Sequence, residues 1–155
     1  MRYCLFKIGI FLILFSLLIP QEDIIGETSK EEIFDLFPLW KEISEIYVPK
    51  QEIVNQLKDV KKEILIEVIL GTWCPDSETH VCSFIKVIDL VSNKKIKVKY
   101  FGISRGKTEP EYLIKDKNIL KVPTFIVYID GKEKGRIIET PEKTIEEDLL
   151  NIIIS

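Results

Sequence analysis

The longest apolar stretch of the chain lies at its N terminus. Arg2 and Lys7 precede a run from Ile8 to Ile19 that contains a single polar position. A membrane-spanning helix needs about 20 apolar residues, so this shorter run fits the apolar region of a signal peptide better. No small-residue cleavage motif follows it, although Gly26 is a small residue nearby, and an uncleaved anchor is the alternative. The pattern predicts export, with residues 1–20 as a signal peptide or an uncleaved signal anchor.

The next segment combines a polar stretch with helical patterns. Residues 21–26 turn polar and predict a linker. Ser29 followed by Glu32 is a capping box, which predicts the start of a short helix. The stretch 39–48 lies between two prolines and gives no clear pattern, whereas 51–62 is amphipathic and predicts a helix. The apolar face of that helix consists of Ile53, Leu57 and Val60.

The rest of the chain alternates strand and helix patterns. Residues 64–70 form a nearly continuous apolar run, which is typical of a strand buried on both faces. Pro75 suits the first turn of a helix, and apolar positions at helical spacing continue that helix to about Asn93. The later elements are a strand over 95–104, a short helix over 109–114, strands over 124–129 and 135–139 joined by a hairpin turn at Asp130-Gly131, and a helix over 141–153.

Composition and charge narrow the class of protein. The 155 residues are 46% hydrophobic and 30% charged, which is an ordinary globular balance for a single domain. A net charge of −3 gives no general attraction to nucleic acid or to an anionic membrane. Cys4 precedes the apolar run, where lipoprotein processing would not use it. Without the signal, Cys74 and Cys82 remain, as a structural bridge, a catalytic pair, or one working thiol and a bystander.

The stretch GTWCPDSETHVC, residues 71–82, contains the candidate chemistry. The pattern places Cys74 where a buried strand ends and a helix begins. Backbone N–H groups and the helix dipole favour the thiolate at such a position, and the thiolate is the nucleophile. The alternative is a buried, inert cysteine, which is common in proteins.

The order of elements, Trp-Cys-Pro at the strand–helix junction and the later VPTFIVYIDGKEKGRI together resemble the thioredoxin family from about residue 51 onward. The likeness is greatest to small bacterial thioredoxin-like proteins with a GTWC-x-DS signature. It implies a thioredoxin fold, an α/β arrangement with a roughly four-stranded mixed sheet flanked by helices. It also implies a cis bond at Pro123, with the backbone of Val122 presented to an extended substrate. Trp73 and Pro75 would complete the substrate groove.

The chain departs from a dithiol oxidoreductase at Ser77, which stands where the second cysteine of such an enzyme would be. A serine can donate a hydrogen bond to the Cys74 thiolate, but it cannot displace a sulfur. Another thiol must then release the substrate, either the substrate's own second cysteine, giving isomerisation, or a small thiol, giving reduction or deglutathionylation. In the alternative reading, Ser77 only satisfies backbone N–H groups in the first helical turn.

Cys82 is a second thiol that could resolve the mixed disulfide. Eight helical residues span about 12 Å, whereas a disulfide requires Cα atoms within about 7 Å. A bridge between Cys74 and Cys82 therefore requires the helix to unwind. A helical wheel places Cys82 toward the polar side, so we expect a partly exposed bystander. A resolving role in a thiol peroxidase and intermolecular pairing are the alternatives.

Few groups near Cys74 could handle protons or metal ions. Many thioredoxins bury an aspartate at the position that Val68 occupies. The side chain of Glu67 points to the opposite face of the strand, and an acidic residue in an apolar strand needs a partner. His80, the only histidine, lies well round the helix, so we expect neither a Cys–His dyad nor a metal site. Asp76 opposes a strongly acidic thiol.

These observations combine into one functional prediction. Residues 1–20 are a signal peptide or anchor, 21–50 a linker and helical extension, and 51–155 a thioredoxin-like domain. We expect an exported, extracytoplasmic monomer without a cofactor, in which Cys74 exchanges disulfides with polypeptides or small thiols and Ser77 supports the thiolate. Membrane contact would occur only through an uncleaved N terminus. The alternatives are a non-catalytic polypeptide-binding module and a thiol peroxidase that uses Cys82.

Overall fold

The structure is a computed structural model that describes residues 22–155. The predicted signal segment, residues 1–20, and Cys4 lie outside the described residues. Within the described range, no helix is both long and apolar enough to cross a membrane.

Eleven helices and strands follow one another in the described range. Two strands, over 64–70 and 124–129, begin and end where the apolar runs predict. The elements are β1 (Gly26–Thr28), α1 (Lys30–Leu36), α2 (Pro38–Ile46), α3 (Gln51–Lys58), β2 (Ile64–Leu70), α4 (Pro75–Val91), β3 (Ile96–Gly102), α5 (Glu111–Asp116), β4 (Thr124–Ile129), β5 (Lys132–Ile138) and α6 (Ile145–Ile154).

The five strands form one mixed sheet in the order β1-β3-β2-β4-β5. β2 and β3 are parallel, and the other neighbouring strands are antiparallel. The sheet therefore has one strand more than the four predicted, because β1 adds to its edge beside β3. The α/β class and the mixed sheet are as predicted.

β2 separates two apolar cores, because successive side chains of a strand point to opposite faces. Ile66, Val68 and Leu70 face the larger core, which they share with α1–α4 and α6. Ile69 faces a smaller core that α5 and the loops near it complete. The buried residues of the smaller core are Ile69, Phe101, Ile103, Leu113, Ile119, Val122 and Ile126. This smaller core underlies the candidate site, since Trp73 and Cys74 pack against it.

The segment predicted as a linker is part of the folded domain. Ile24 is buried in the larger core, and the strand that follows pairs with β3 so that Gly26 faces Gly102. A side chain at Gly102 would place its Cβ only 2.1 Å from the Ile24 carbonyl oxygen. The absence of a side chain at Gly102 therefore allows the N-terminal segment to lie against the sheet.

The helical extension is joined to the domain by a buried carboxylate. Glu146 in α6 is only 1% exposed, and it accepts hydrogen bonds from the Tyr47 hydroxyl at 2.8 Å and the Lys50 backbone N–H at 3.0 Å. Burial and this hydrogen bond raise the pKa of Tyr47 well above its usual value. A buried carboxylate is costly unless it is hydrogen-bonded, so these contacts hold α2, α3 and α6 together.

We expect Gly102→Ala to destabilise the fold, because its new methyl group would push the Ile24 backbone off the sheet edge. Overpacking of this kind costs about 1–3 kcal/mol in the free energy of unfolding. Urea unfolding followed by circular dichroism measures this change. Gly106→Ala is the matched control, since its nearest new contact would be an ordinary 3.7 Å. Equal stability of the two variants would contradict the close approach.

Candidate functional site

Cys74 lies at the junction of β2 and α4, as the residue immediately before the helix. Its backbone is extended, with φ −103° and ψ 120°, and its carbonyl accepts the Glu78 N–H at 3.0 Å, which closes the first helical turn. Pro75 occupies a first-turn position, where the missing N–H of proline removes no helical hydrogen bond. The half-buried thiol is thus at the N terminus of the longest helix described, where the sequence predicts it.

The loop before β4 lies directly against this thiol. The Cys74 Sγ donates a hydrogen bond to the Val122 carbonyl oxygen at 3.4 Å. The Val122–Pro123 peptide bond is cis, as the resemblance leads us to expect; the Glu109–Pro110 bond is also cis, which the sequence did not suggest. The structure therefore brings together Cys74 and the backbone expected to receive a substrate.

Trp73 forms one wall of the site. Its ring lies over Gly71, where a Cβ would come within 2.7 Å of the ring carbon Cε2. Its Nε1 donates a hydrogen bond to the Ile103 carbonyl oxygen at 3.1 Å. The guanidinium carbon of Arg105 lies over the ring, 5.6 Å from its centroid. Trp73 is therefore fixed by Gly71 and by the hydrogen bond to Ile103, and a cation lies over its ring.

Thr72 connects the site to the N-terminal segment. Its hydroxyl donates to the Asp23 carboxylate at 3.1 Å and accepts the Ile24 N–H at 3.4 Å. Sequence reasoning missed both Thr72 and Asp23, because this contact joins residues far apart in the chain and leaves no local pattern. The N-terminal segment thus adjoins the turn that carries Cys74.

Ser77 does not contact the thiol in the way we expected. Its fully buried hydroxyl oxygen accepts the Gly71 N–H at 3.1 Å. No hydrogen bond joins Ser77 to Cys74 in the described structure, where the thiol is directed to Val122 instead. Ser77 therefore ties the end of β2 to the first turn of α4. Its partner is a strand-end N–H, which differs from both readings of the sequence.

Cys82 is fully buried, which corrects the expectation of a partly exposed thiol. Burial raises the pKa of the Cys82 thiol to about 12, and Glu78 adds to this effect. The helical wheel predicted the wrong exposure because α4 packs against the sheet on one side and against α2 and α3 on another. Both Cys74 and Cys82 are free thiols in the structure. The buried, protonated Cys82 is a poor resolving group.

Glu67 has the partner that its position demands. It is 9% exposed, and its carboxylate accepts a hydrogen bond from Lys117 Nζ, which also donates to the Tyr128 hydroxyl at 3.4 Å. Burial acts to lower the pKa of Lys117, but the hydrogen bonds to Glu67 and Tyr128 outweigh it and hold that pKa above its usual value. Glu67 is thus paired with a lysine and does not contact Cys74.

The remaining titratable groups offer no metal site. Burial lowers the pKa of His80, and the nearby charge of Asp76 opposes this effect only in part. His80 is therefore neutral at physiological pH. Across residues 22–155, no three His, Cys, Asp or Glu side chains gather closely enough to hold a metal ion.

Comparisons with known proteins agree with this geometry. A family model described as Thioredoxin matches residues 38–149. A protein of unknown function from Pseudomonas aeruginosa is 14% identical, with a TM-score of 0.55 over 82% of this chain and 96% of its own. An HIV epitope scaffold is 15% identical, with a TM-score of 0.51 over 82% of this chain and 88% of its own. No curated protein matches the chain. At these identities the structural likeness concerns the fold alone, which is the thioredoxin fold.

We expect Cys74 and Cys82 to differ sharply in alkylation. Iodoacetamide at pH 8 should modify Cys74 in the native, reduced protein and leave Cys82 unmodified, because Cys82 is buried and its pKa is about 12. Peptide mass spectrometry assigns the label to each residue. In concentrated urea both cysteines should react, which controls for the intrinsic reactivity of Cys82. Equal labelling of Cys82 and Cys74 in the native protein would contradict the packing around α4.

Proposed function

The chain belongs to the thioredoxin family, and we propose that it exchanges thiols and disulfides through Cys74 as its only nucleophile. The observation that carries this proposal is the placement of the Cys74 sulfur, 3.4 Å from the Val122 carbonyl oxygen at the N terminus of α4. The GTWC-x-DS pattern of residues 71–77 also supports it, through the likeness to small bacterial thioredoxin-like proteins.

In the first step, the Cys74 thiol loses its proton to water and the thiolate attacks one sulfur of a substrate disulfide. A bond forms between Cys74 and that sulfur, the substrate S–S bond breaks, and the other substrate sulfur leaves as a thiolate that takes up a proton. Deprotonation of Cys74 also removes the hydrogen bond to Val122. The freed Val122 carbonyl can then accept a backbone N–H from an extended substrate.

In the second step, an external thiol must release the enzyme, because Ser77 cannot attack a sulfur and its hydroxyl is bonded to Gly71. If a cysteine other than the original partner attacks the substrate sulfur of the mixed disulfide, Cys74 leaves as a thiolate that takes up a proton. The substrate then keeps a rearranged disulfide and one free thiol. If a small thiol attacks the Cys74 sulfur, the substrate leaves with both of its thiols reduced. A second molecule of the small thiol then frees Cys74 and forms the oxidised small disulfide. The first route is isomerisation and the second is reduction.

We also propose that the protein works outside the cytoplasm. The apolar run from Ile8 to Ile19 supports export, either with cleavage or as an anchor. Substrate disulfides form and persist in such a compartment, where a protein that rearranges them has a supply of substrate.

A non-catalytic polypeptide-binding module is the second candidate function. The bond between Ser77 and the Gly71 N–H favours it, because this bond gives the serine a structural role that requires no reaction. The same groove beside Val122 and Trp73 would then hold an extended chain without forming a covalent bond. A thiol peroxidase is less favoured, since its resolving thiol would be the buried Cys82.

The variant Ser77→Cys tests whether only the resolving thiol is missing. In a Cys4→Ser background, we expect the parent protein to react with 2,2′-dithiodipyridine, release a single equivalent of pyridinethione and keep a stable adduct on Cys74. Ser77→Cys should release two equivalents of pyridinethione and keep no adduct. The new thiol lies one helical turn from Cys74, so it can attack the Cys74 sulfur, displace the second pyridinethione and form a disulfide with Cys74. Absorbance and intact-protein mass measure the two outcomes.

Two controls accompany this variant. Ser77→Ala loses the hydrogen bond to Gly71, which should cost about 1–3 kcal/mol in unfolding free energy, yet it should still form the single adduct. Cys74→Ser should release no pyridinethione. A parent protein whose Cys74 does not react with the disulfide would refute the exchange proposal and favour the binding module.

A further inference from the structure

Arg105 lies where its positive charge could interact with a substrate bound beside Cys74. Its guanidinium carbon lies 5.6 Å from the centroid of the Trp73 ring, and Cys74 is the next residue after that tryptophan. The Arg105 side chain is exposed. The negative face of the indole attracts a cation, which favours this position of the Arg105 guanidinium.

The loop that carries Arg105 is fixed by its own hydrogen bonds. The Ser104 hydroxyl accepts the backbone N–H groups of Thr108 at 3.2 Å and Glu109 at 3.1 Å. Lys107 Nζ reaches across to donate to the Leu120 carbonyl oxygen at 2.9 Å, in the loop that leads to the cis proline. The Arg105 loop and the loop beside the thiol are therefore joined; Arg105 lies over Trp73, and Val122 contacts Cys74.

Within the described residues, Arg105 has neither a carboxylate partner nor a hydrogen-bond acceptor. Lys121, which precedes Val122 in the sequence, differs because Glu139 pairs with it. That hydrogen bond to Glu139 is the main cause of the raised pKa of Lys121, and the charge of Asp76 contributes less. Asp76 is the acidic group nearest Cys74 in sequence, and Lys121 partly balances it. The unpaired positive charge beside Trp73 is thus that of Arg105.

The geometry leaves the guanidinium ready for a carboxylate. The guanidinium lies over the ring with no hydrogen-bond acceptor among the described residues, so its five N–H donors are free. A carboxylate can accept two of these donors side by side, which a lysine in the same place could not offer. A substrate bound along Val122 would present the residues next to its reacting cysteine near this edge.

We propose that Arg105 is a specificity residue that favours disulfides with a carboxylate close to the reacting sulfur. This inference rests on the proposed exchange by Cys74 and adds the substrate class, which is acidic polypeptides or small anionic disulfides. Arg105 does not touch the reacting sulfur; it positions the substrate by pairing with the substrate carboxylate.

The test compares two aromatic disulfides that differ in charge. In a Cys4→Ser background, stopped-flow absorbance gives the rate of Cys74 with dianionic 5,5′-dithiobis(2-nitrobenzoate) and with neutral 2,2′-dithiodipyridine. We expect Arg105→Gln to lower the ratio of the rate with the anionic disulfide to the rate with the neutral one by about threefold. This is the effect expected from the loss of one exposed ion pair. Arg105→Glu should lower the ratio further. High salt should reduce the difference between parent and variants.

The control is Lys132→Gln, which removes the same charge from an exposed residue at the other end of β4 and β5 and should leave the ratio unchanged. A ratio that is equal in the parent and Arg105→Gln proteins would overturn the specificity inference. An equal fall in the Lys132→Gln protein would also overturn it, because net charge alone would then explain the preference. Failure of Cys74 to react with the neutral disulfide would instead refute the exchange proposal.

A second measurement uses peptides in place of aromatic disulfides. Three mixed-disulfide peptides that differ only in Glu, Gln or Lys beside the cysteine should react with the parent protein in that order, fastest for Glu. The order should collapse in Arg105→Gln. A parent protein that reacts equally with all three peptides would overturn acidic polypeptides as the substrate class.

Discussion

The site depends on the way the chain turns at Gly71. The N–H of this residue is bound by the Ser77 hydroxyl, and its carbonyl accepts the Cys74 N–H at 2.9 Å. Its missing side chain leaves the space that the Trp73 ring fills. One residue thereby sets where the strand stops, where the helix starts and how the tryptophan lies. The position of the Cys74 thiol against the Val122 carbonyl follows from these three contacts.

The same turn gives Ser77 a structural role. The position one helical turn after Cys74 is enclosed, and a serine there completes the hydrogen bonding of the buried Gly71 N–H. An orphaned buried N–H would cost about 1–3 kcal/mol, so the serine stabilises the turn at a place where a resolving thiol would otherwise act. Among the described residues the other cysteine, Cys82, is buried within the packing of α4. Neither Ser77 nor Cys82 therefore offers a reactive thiol close to Cys74.

Sequence patterns predict structure that depends on neighbouring residues, and they miss contacts between residues that are far apart in the chain. β2 and β4 are predicted to the residue, because continuous apolar runs end at clear turn and helix-start signals. β1 is missed because three residues paired with β3 carry no periodic pattern. The predicted exposure of Cys82 is wrong because a helical wheel assumes one buried face, whereas α4 contacts other elements on two sides. The partner of Ser77 and the position of Arg105 over Trp73 depend on side-chain positions that residue spacing does not encode.

The proposed chemistry requires a covalent bond between Cys74 and its substrate. The most direct measurement is to mix the reduced protein, in a Cys4→Ser background, with a polypeptide that contains non-native disulfides, quench with acid, and map the products by mass spectrometry. We predict a mixed disulfide at Cys74 that persists without added thiol and disappears when a small thiol is supplied. Non-covalent binding of the polypeptide with no adduct at Cys74 would contradict the account.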